Sequence, residues 1–242
     1  MVFVRNYLAA LGFLTRLGPV AHDPDMASCV PYFPAVGATL GLVLALPLAL
    51  GLLSAHPLAG AWFYAVVNLA LTRGLHLDGF ADVADAWGSL ASGERFFTIM
   101  KDSRVGAFGG MALVVAVTGQ ICLGASLLGD GRVLLLAVAP AMGRAGAVVL
   151  MCVCRDLART GGLGALFLPG ANGRNTAAAV GFGLLFSLLL AGPAATVWGS
   201  LLGAAVLVPL ARLARRNGGI NGDFLGAAIV GCELAFLAGG LL

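Results

Sequence analysis

Long apolar stretches alternate with short polar connections along most of this chain. Candidate membrane spans cover residues 32–54, 58–77, 106–128, 132–153, 176–192, 195–211 and 224–242. A helix needs about 20 mainly apolar residues to cross the hydrocarbon core of a bilayer, so two of these stretches are short. We expect the pair 176–192 and 195–211 to form a tight hairpin around Gly192 and Pro193. The pattern predicts about seven transmembrane helices, with six or eight as alternatives.

The N-terminal stretch has a different character. Residues 3–20 mix apolar side chains with Arg5, Asn6, Thr15 and Arg16, which is typical of an amphipathic helix lying in the membrane interface. Arg16 also interrupts the apolar run, so the stretch does not resemble a cleavable signal peptide. We therefore expect one all-α domain, residues 1–242, that forms a polytopic membrane helix bundle with an N-terminal amphipathic helix.

The composition supports a membrane protein. Hydrophobic residues make up 60% of the chain and charged residues 10%, and the mean hydropathy is +0.99, well above that of a soluble globular domain. The 36 glycines favour close packing between helices. A net charge of +3, without a basic run, argues against nucleic-acid binding. The five cysteines lack the spacing of a zinc site, and we expect reduced, structural thiols.

The distribution of lysine and arginine predicts the orientation. The connections near residues 55–57, 129–131 and 192–194 have only Arg132 beside them. The opposite set of connections carries Arg5, Arg16, Arg95, Lys101, Arg104, Arg155, Arg159, Arg174, Arg212, Arg215 and Arg216. Cytoplasmic loops are enriched in these residues, so the positive-inside rule places the second set and the N-terminus in the cytoplasm.

Three carboxylates stand close together in the segment HLDGFADVADAWG, residues 76–88. Asp78, Asp82 and Asp85 follow an i, i+4, i+7 spacing, which places all three on one side of a helix. Because like charges so placed repel one another, we expect a cation among them, and carboxylate oxygens suit Mg²⁺. The alternative is a cytoplasmic helix end with solvated acids. Either way, this segment falls on the predicted cytoplasmic side.

A second polar segment precedes the span at 106–128. Lys101, Asp102, Ser103 and Arg104 are consecutive, and basic side chains beside a helix N-terminus suit an anionic ligand such as phosphate. Taken alone, these residues could equally be a positive-inside anchor. Beside the carboxylates, a combined metal and phosphate site becomes the better interpretation, as phosphoryl transfer requires.

Several ionisable residues fall within or beside the apolar stretches. Arg144 lies in the middle of one span, where it could contact a phosphate, reach the carboxylates or form a buried ion pair, and Arg73 lies just inside another. Glu233 could pair with either arginine. Asp223 follows a glycine-rich segment and could cap the last helix. A lone histidine such as His76 is more often a hydrogen-bonding neighbour than a metal ligand.

These residues resemble the cobalamin synthase family, the adenosylcobinamide-GDP ribazoletransferases. The resemblance covers nearly the whole chain and rests on FLTR at 13–16, FPAVG at 33–37, GLHLDGFADVADAWG at 74–88, IMKDSRVGAFG at 99–109 and GDFLGA at 222–227. Two departures stand out: Ala86 replaces the usual glycine, and Asn221 replaces a threonine common before Gly-Asp. Neither departure removes a carboxylate.

The resemblance implies an enzyme of the bacterial inner membrane whose active site faces the cytoplasm. The family joins adenosylcobinamide-GDP to α-ribazole, or its 5′-phosphate, and releases GMP with Mg²⁺ as cofactor. The lipid bilayer is the other implied partner, and the chain could also form a homo-oligomer.

In this interpretation Asp78 and Asp82 are magnesium ligands, and Asp85 and Asp102 are further ligands or the general base. The diphosphate would contact Lys101 and Arg104, with Ser103 and Arg144 as additional candidates. The remaining candidate site residues are His76, Glu94, Asp223 and Glu233.

Two other functions compete with this one. CDP-alcohol phosphotransferases also use aspartates and magnesium to displace a nucleoside monophosphate, but their D-G-x2-A-R…G-x3-D-x3-D pattern does not match the D-G-x2-D-x2-D found here. A transporter or channel with an acidic cation site is the second alternative. Transporters often contain duplicated halves with interrupted helices, and this sequence shows no such duplication.

Overall fold

A computed structural model describes residues 2–19, 25–157, 159 and 163–242. The described chain is helical almost throughout, as predicted, and its residues contain two 3₁₀ turns and a 3₁₀ segment at Ala27–Tyr32 besides the α-helices. The α-helices are α1 (Val2–Leu14), α2 (Phe33–Ala49), α3 (Pro57–Thr72), α4 (Leu75–Gly88), α5 (Glu94–Met100), α6 (Ala107–Gly129), α7 (Val133–Val153), α8 (Leu163–Phe167), α9 (Gly173–Asn217) and α10 (Gly222–Gly239).

Five helical segments in the described chain are long and apolar enough to cross a membrane, or six if α3 and α4 form one broken span. The five are Ala27–Ala49, Ala107–Gly129, Val133–Val153, Gly173–Asn217 and Gly222–Gly239. The prediction of a polytopic helical membrane protein is therefore confirmed. The predicted count of about seven is reached only when α3 and α4 are counted as one broken span and the two arms of α9 are counted separately.

Helix α9 is a hairpin of two arms rather than one straight rod. Its 45 residues are interrupted at Gly192, whose φ of 81° is non-helical. The hydroxyl oxygens of Ser187 and Thr196 lie 2.7 Å apart, whereas residues nine apart in a straight helix are separated by about 13.5 Å along its axis. The chain must therefore reverse direction between them, which agrees with the hairpin predicted around Gly192.

The predicted span 58–77 is wrong at its C-terminal end. Helix α3 ends at Thr72, and α4 leaves it at an angle of 91°. Arg73 and Gly74 both adopt left-handed backbone conformations, with φ values of 59° and 68°, and such a conformation terminates a helix. Hydropathy does not reveal this bend, because Leu75 and Leu77 continue the apolar pattern beyond it.

Helices α7 and α10 form the centre of the bundle, and α2, α4 and α9 pack around them. Helix α1 is shorter than predicted but amphipathic: it buries Ala10 and Leu14 and exposes Phe3. All five cysteines are free thiols, as expected. Helices α4 and α10 carry most of the predicted site. The hydrophobic residues at the centre of the bundle hold these two helices in place.

The polar connections are divided between the two ends of the bundle. At one end, the backbone N–H of Arg16 donates to Leu71 at 2.8 Å, and the N–H of Gly93 donates to Asn217 at 3.0 Å. At the other end, Arg132 donates to the carbonyl of Gly240. We call the first the cationic end, because it holds Arg16, Lys101, Arg104, Arg159, Arg212, Arg215 and Arg216.

Candidate active site

Helix α4 lies directly against the start of α10, and two glycines allow this close approach. A Cβ atom on Gly79 would lie 2.7 Å from the Cα of Asp223, and one on Gly226 would lie 2.9 Å from the carbonyl oxygen of His76. Any side chain at either position would force the helices apart, since real contacts are longer than this. The approach places Asp78 and Asp82 beside Asp223 at the cationic end.

The carboxylates predicted to act together do converge. Asp82 is half-buried, and it lies close enough to Asp223, Asp78 and Asp85 to experience the charge of each. Asp78 is exposed. The side-chain amide of Asn221 donates to Asp223 at 2.7 Å, which fixes one oxygen of that carboxylate. We call Asp78, Asp82, Asp85 and Asp223 the carboxylate cluster.

Asp85 has a structural task within the cluster. One of its oxygens accepts the backbone N–H of Gly106 at 2.8 Å, and the other accepts that of Gly109 at 2.7 Å. Asp85 therefore caps α6 from a distant helix and stabilises its N-terminus. The sequence predicts phosphate at this helix start, but the carboxylate of Asp85 already accepts two of its N–H groups. The side chains of the preceding loop remain the candidates for a phosphate contact.

That loop, residues 101–106, presents its charges to solvent. The guanidinium of Arg104 donates to both oxygens of Asp102, at 3.0 and 2.7 Å, while the Arg104 side chain remains 87% exposed. These hydrogen bonds lower the pKa of Asp102 to about 2. A carboxylate of such low basicity is poorly suited to accept a proton at neutral pH, so the geometry favours an orienting role for Asp102. Lys101 and Ser103 are exposed.

Arg144 lies inside the bundle and is fully buried. Its guanidinium donates to Glu233 at 3.0 Å and to the carbonyl of Pro140 at 3.0 Å, and it lies 3.3 Å from Nε2 of His76. The structure thus selects the buried ion pair among the roles the sequence left open and does not support a contact with the diphosphate. The predicted pairing of Glu233 with Arg144 is confirmed, and His76 is a hydrogen-bonding neighbour.

Glu94 fixes α5 to the cationic end instead of joining the carboxylate cluster. Arg159 donates to both of its oxygens, at 2.9 and 2.8 Å, and the same guanidinium lies 3.9 Å from the centre of the Phe97 ring. Hydrogen bonds from Arg159 hold the pKa of the Glu94 carboxyl below its usual value. This bidentate pair orders the helix that leads into loop 101–106.

Three asparagines of the site were missed in the sequence. Asn68 lies beside Glu233, and its own side-chain oxygen is buried without a described partner. Asn221 caps α10 and orients Asp223, and Asn217 accepts the N–H of Gly93. Asn221 could have been found, because an asparagine directly before a helix is a capping signal. Asn68 and Asn217 act through distant contacts that leave no local pattern.

The carboxylate cluster has the donor chemistry of a magnesium site but not a preformed one. Within the part of the chain that the structure describes, no three His, Cys, Asp or Glu side chains are grouped closely enough to hold a metal ion. Mg²⁺ is usually bound by one or two carboxylates together with substrate phosphates and water. Asp78 and Asp82 therefore fit an ion that binds together with a diphosphate.

Comparison with known proteins identifies the family. The family model described as cobalamin-5-phosphate synthase matches residues 6–241. This chain belongs to the cobalamin-5-phosphate synthase family. It is therefore an enzyme, and the match decides against the phosphotransferase and transporter alternatives.

Two relatives show how far the similarity extends. The adenosylcobinamide-GDP ribazoletransferase of Nitratidesulfovibrio vulgaris (strain DP4) is 46% identical over 237 residues, which cover 97% of this chain and 96% of the relative. The protein of the same name from Escherichia coli (strain K12 / DH10B) is 37% identical over 242 residues, which cover 96% of this chain and 97% of the relative. No solved structure matches this chain significantly.

Proposed function

We propose that this protein joins adenosylcobinamide-GDP to α-ribazole, or to α-ribazole 5′-phosphate, and releases GMP. A ribose hydroxyl oxygen forms a bond to the phosphorus that carries the cobinamide. The bond between that phosphorus and the bridging oxygen breaks, and this oxygen leaves with GMP. The other product is adenosylcobalamin or its 5′-phosphate. The observation that carries the proposal is that Asp82 lies near Asp78 and Asp223, while Asp85 of the same helix accepts the N–H of Gly106 at the end of the cationic loop 101–106.

Each part of the site then has a task. Lys101 and Arg104 bind the diphosphate, since an exposed guanidinium can offer two parallel hydrogen bonds to it. Asp78 and Asp82 would hold Mg²⁺, which when bound neutralises charge on the diphosphate oxygens. We propose that Asp223 accepts the proton of the attacking hydroxyl, because Asn221 occupies only one oxygen of this carboxylate. The other two candidates have different roles: Asp85 caps α6 and Asp102 orients Arg104.

Measuring both products of the same reaction mixture tests this proposal. Purified protein in lipid nanodiscs, supplied with adenosylcobinamide-GDP, α-ribazole and Mg²⁺, is expected to form GMP and adenosylcobalamin in equal amounts, measured by chromatography with mass detection. Omitting α-ribazole is expected to suppress GMP release, and omitting Mg²⁺ is expected to suppress both products. Equal GMP release with and without α-ribazole would show a hydrolase instead of a transferase.

We also propose that the site faces the cytoplasm across a bacterial inner membrane. All the cations of the cationic end lie on the side of the carboxylate cluster, and the positive-inside rule assigns that side to the cytoplasm. In a cysteine-free background, a membrane-impermeant maleimide added to intact spheroplasts is expected to label a cysteine at Ser54 or Gly129. It should spare one at Ser92 or Gly173 until the membrane is permeabilised. Labelling of position 92 from outside would reverse the orientation.

The diphosphate assignment predicts distinct kinetic effects at Arg104. Arg104→Ala is expected to raise KM for adenosylcobinamide-GDP about tenfold or more, the size expected when a charge-assisted bidentate contact is lost. The KM for α-ribazole should change little. Arg104→Lys should recover part of the loss, because an ammonium keeps the charge but not the planar fork. Steady-state kinetics with each substrate varied in turn measures both constants.

Arg95 provides the matched control for Arg104. It is an exposed arginine of the neighbouring helix α5, so Arg95→Ala removes the same charge from the same end of the bundle and is expected to leave both KM values near wild type. If Arg104→Lys and Arg104→Ala both behaved like wild type, Arg104 would be a topological anchor and not a diphosphate ligand.

A further inference from the structure

A large apolar groove lies on the far side of α4 from the carboxylate cluster. Its volume is about 820 Å³, and its walls come from α4, α6 and the second arm of α9. Phe80 and Trp87 of α4 face Phe108 and Met111 of α6 across it. Because Trp87 is 63% exposed and Met111 56% exposed, the groove is open along its length toward the surrounding bilayer.

The groove and the carboxylate cluster occupy opposite faces of the same helix. Successive residues of an α-helix are rotated by about 100°, so Phe80, Val83 and Trp87 point roughly opposite to Asp78, Asp82 and Asp85. A molecule in the groove is therefore separated from the carboxylates by the backbone of α4. The groove is therefore a separate surface from the face of α4 that carries the carboxylate cluster.

One end of the groove carries two arginines. Arg212 and Arg216 line it and are exposed, and their spacing of four residues places them on one face of α9. Neither takes part in an ion pair of the described chain, whereas Arg215 of the same turn is directed toward Asp156 at 3.6 Å. The groove thus combines an apolar body with two cations that have no acidic partner among the described residues.

The length of the groove matches one leaflet of a membrane. Its wall on α9 runs from Ala205 to Arg216, a rise of about 16 Å at 1.5 Å per residue. The hydrocarbon core of a bilayer is about 30 Å thick, so each leaflet contributes about 15 Å. Trp87 lines the groove from α4, and tryptophan is enriched at the boundary between hydrocarbon and headgroups.

From these observations we propose that the groove is a binding site for one anionic phospholipid of the leaflet on the cationic side. Its acyl chains lie between α4, α6 and α9, and its phosphate binds Arg212 and Arg216. Two features distinguish this site from the general lipid contact of the bundle. Three helices surround the chains, and two arginines that form no ion pair in the described part of the chain select a negatively charged headgroup.

Native mass spectrometry tests the site without measuring turnover. Protein released from nanodiscs that contain equal amounts of phosphatidylglycerol and phosphatidylcholine is expected to retain one phosphatidylglycerol in preference to phosphatidylcholine. Arg212→Gln/Arg216→Gln is expected to reduce the affinity for phosphatidylglycerol about 25-fold, about fivefold for each arginine near an anionic surface. Ala205→Trp, which fills the groove, is expected to reduce retention of either lipid.

Two control variants carry the same kinds of substitution outside the groove. Arg174→Gln removes an exposed arginine outside the groove, and Leu189→Trp adds a ring to an exposed position on the first arm of α9. Both should retain phosphatidylglycerol as wild type does. Equal retention of the two lipids by wild type, or unchanged retention by the double arginine variant, would overturn the proposal. Displacement of the lipid by adenosylcobinamide-GDP but not by inorganic phosphate would also overturn it, since the arginines would then belong to the substrate.

Discussion

Asp82→Asn is expected to abolish nearly all transferase activity while the protein remains folded in the membrane. The substitution keeps the size of the side chain but replaces a carboxylate with a neutral amide, which binds Mg²⁺ far more weakly. It also removes one negative charge from the carboxylate cluster, so folding should not suffer. We expect kcat to fall by about 100-fold or more, the scale on which single electrostatic contacts act in enzymes, measured as GMP release over a range of Mg²⁺ concentrations.

Asp130→Asn is the matched control for this loss. Asp130 is an exposed aspartate at the other end of the bundle, where α6 ends, and the same chemical change there should leave kcat and the magnesium dependence unaltered. Size-exclusion profiles in detergent would verify that both variants are folded. Near-normal turnover of Asp82→Asn at saturating Mg²⁺ would remove Asp82 from the proposed ligands.

The second large effect is expected at the buried pair of Arg144 and Glu233. Arg144→Met leaves the carboxylate of Glu233 inside the bundle without its cation. Leaving one member of a buried ion pair unpaired typically lowers the free energy of unfolding by about 3–5 kcal/mol. The unfolding temperature should therefore fall sharply, and less folded protein should be obtained. A second substitution, Glu233→Leu, removes the remaining charge and should restore much of this stability.

This comparison separates a structural pair from a substrate contact. The Arg144→Met/Glu233→Leu variant should unfold closer to the wild-type temperature than Arg144→Met alone, as measured by fluorescence-detected thermal unfolding in detergent. Arg174→Met, which changes an exposed arginine, should have little effect on stability. If the double variant were no more stable than the single one, the energetic interpretation of the pair would be incorrect.

The large-scale architecture could be predicted because hydropathy reports it directly. The spans at 106–128 and 132–153 correspond closely to α6 and α7, and Gly192 marks the turn of the α9 hairpin. The bend between α3 and α4 was missed, because it depends on the left-handed conformations of Arg73 and Gly74 and not on a change of polarity. That bend turns α4 and its aspartates across the bundle.

The side chains of the site were predictable as a set but not in their individual tasks. The spacing of Asp78, Asp82 and Asp85 indicates that they share one face of a helix, and in the structure they do lie on one face of α4. Nothing near Asp85 in the sequence shows that its oxygens accept the N–H groups of Gly106 and Gly109. Such a contact depends on how α4 and α6 cross. Likewise, the burial of Arg144 follows from the packing of the whole bundle.

The most direct test of the account is a structure of the protein with a non-reactive analogue of adenosylcobinamide-GDP and Mn²⁺ in place of Mg²⁺, with the metal located by its anomalous scattering. We predict a metal peak between the diphosphate and the carboxylates of Asp78 and Asp82, with Arg104 in contact with the diphosphate. Asp85 should still cap α6. A metal peak away from α4, or a diphosphate bound beyond reach of loop 101–106, would contradict the proposed active site.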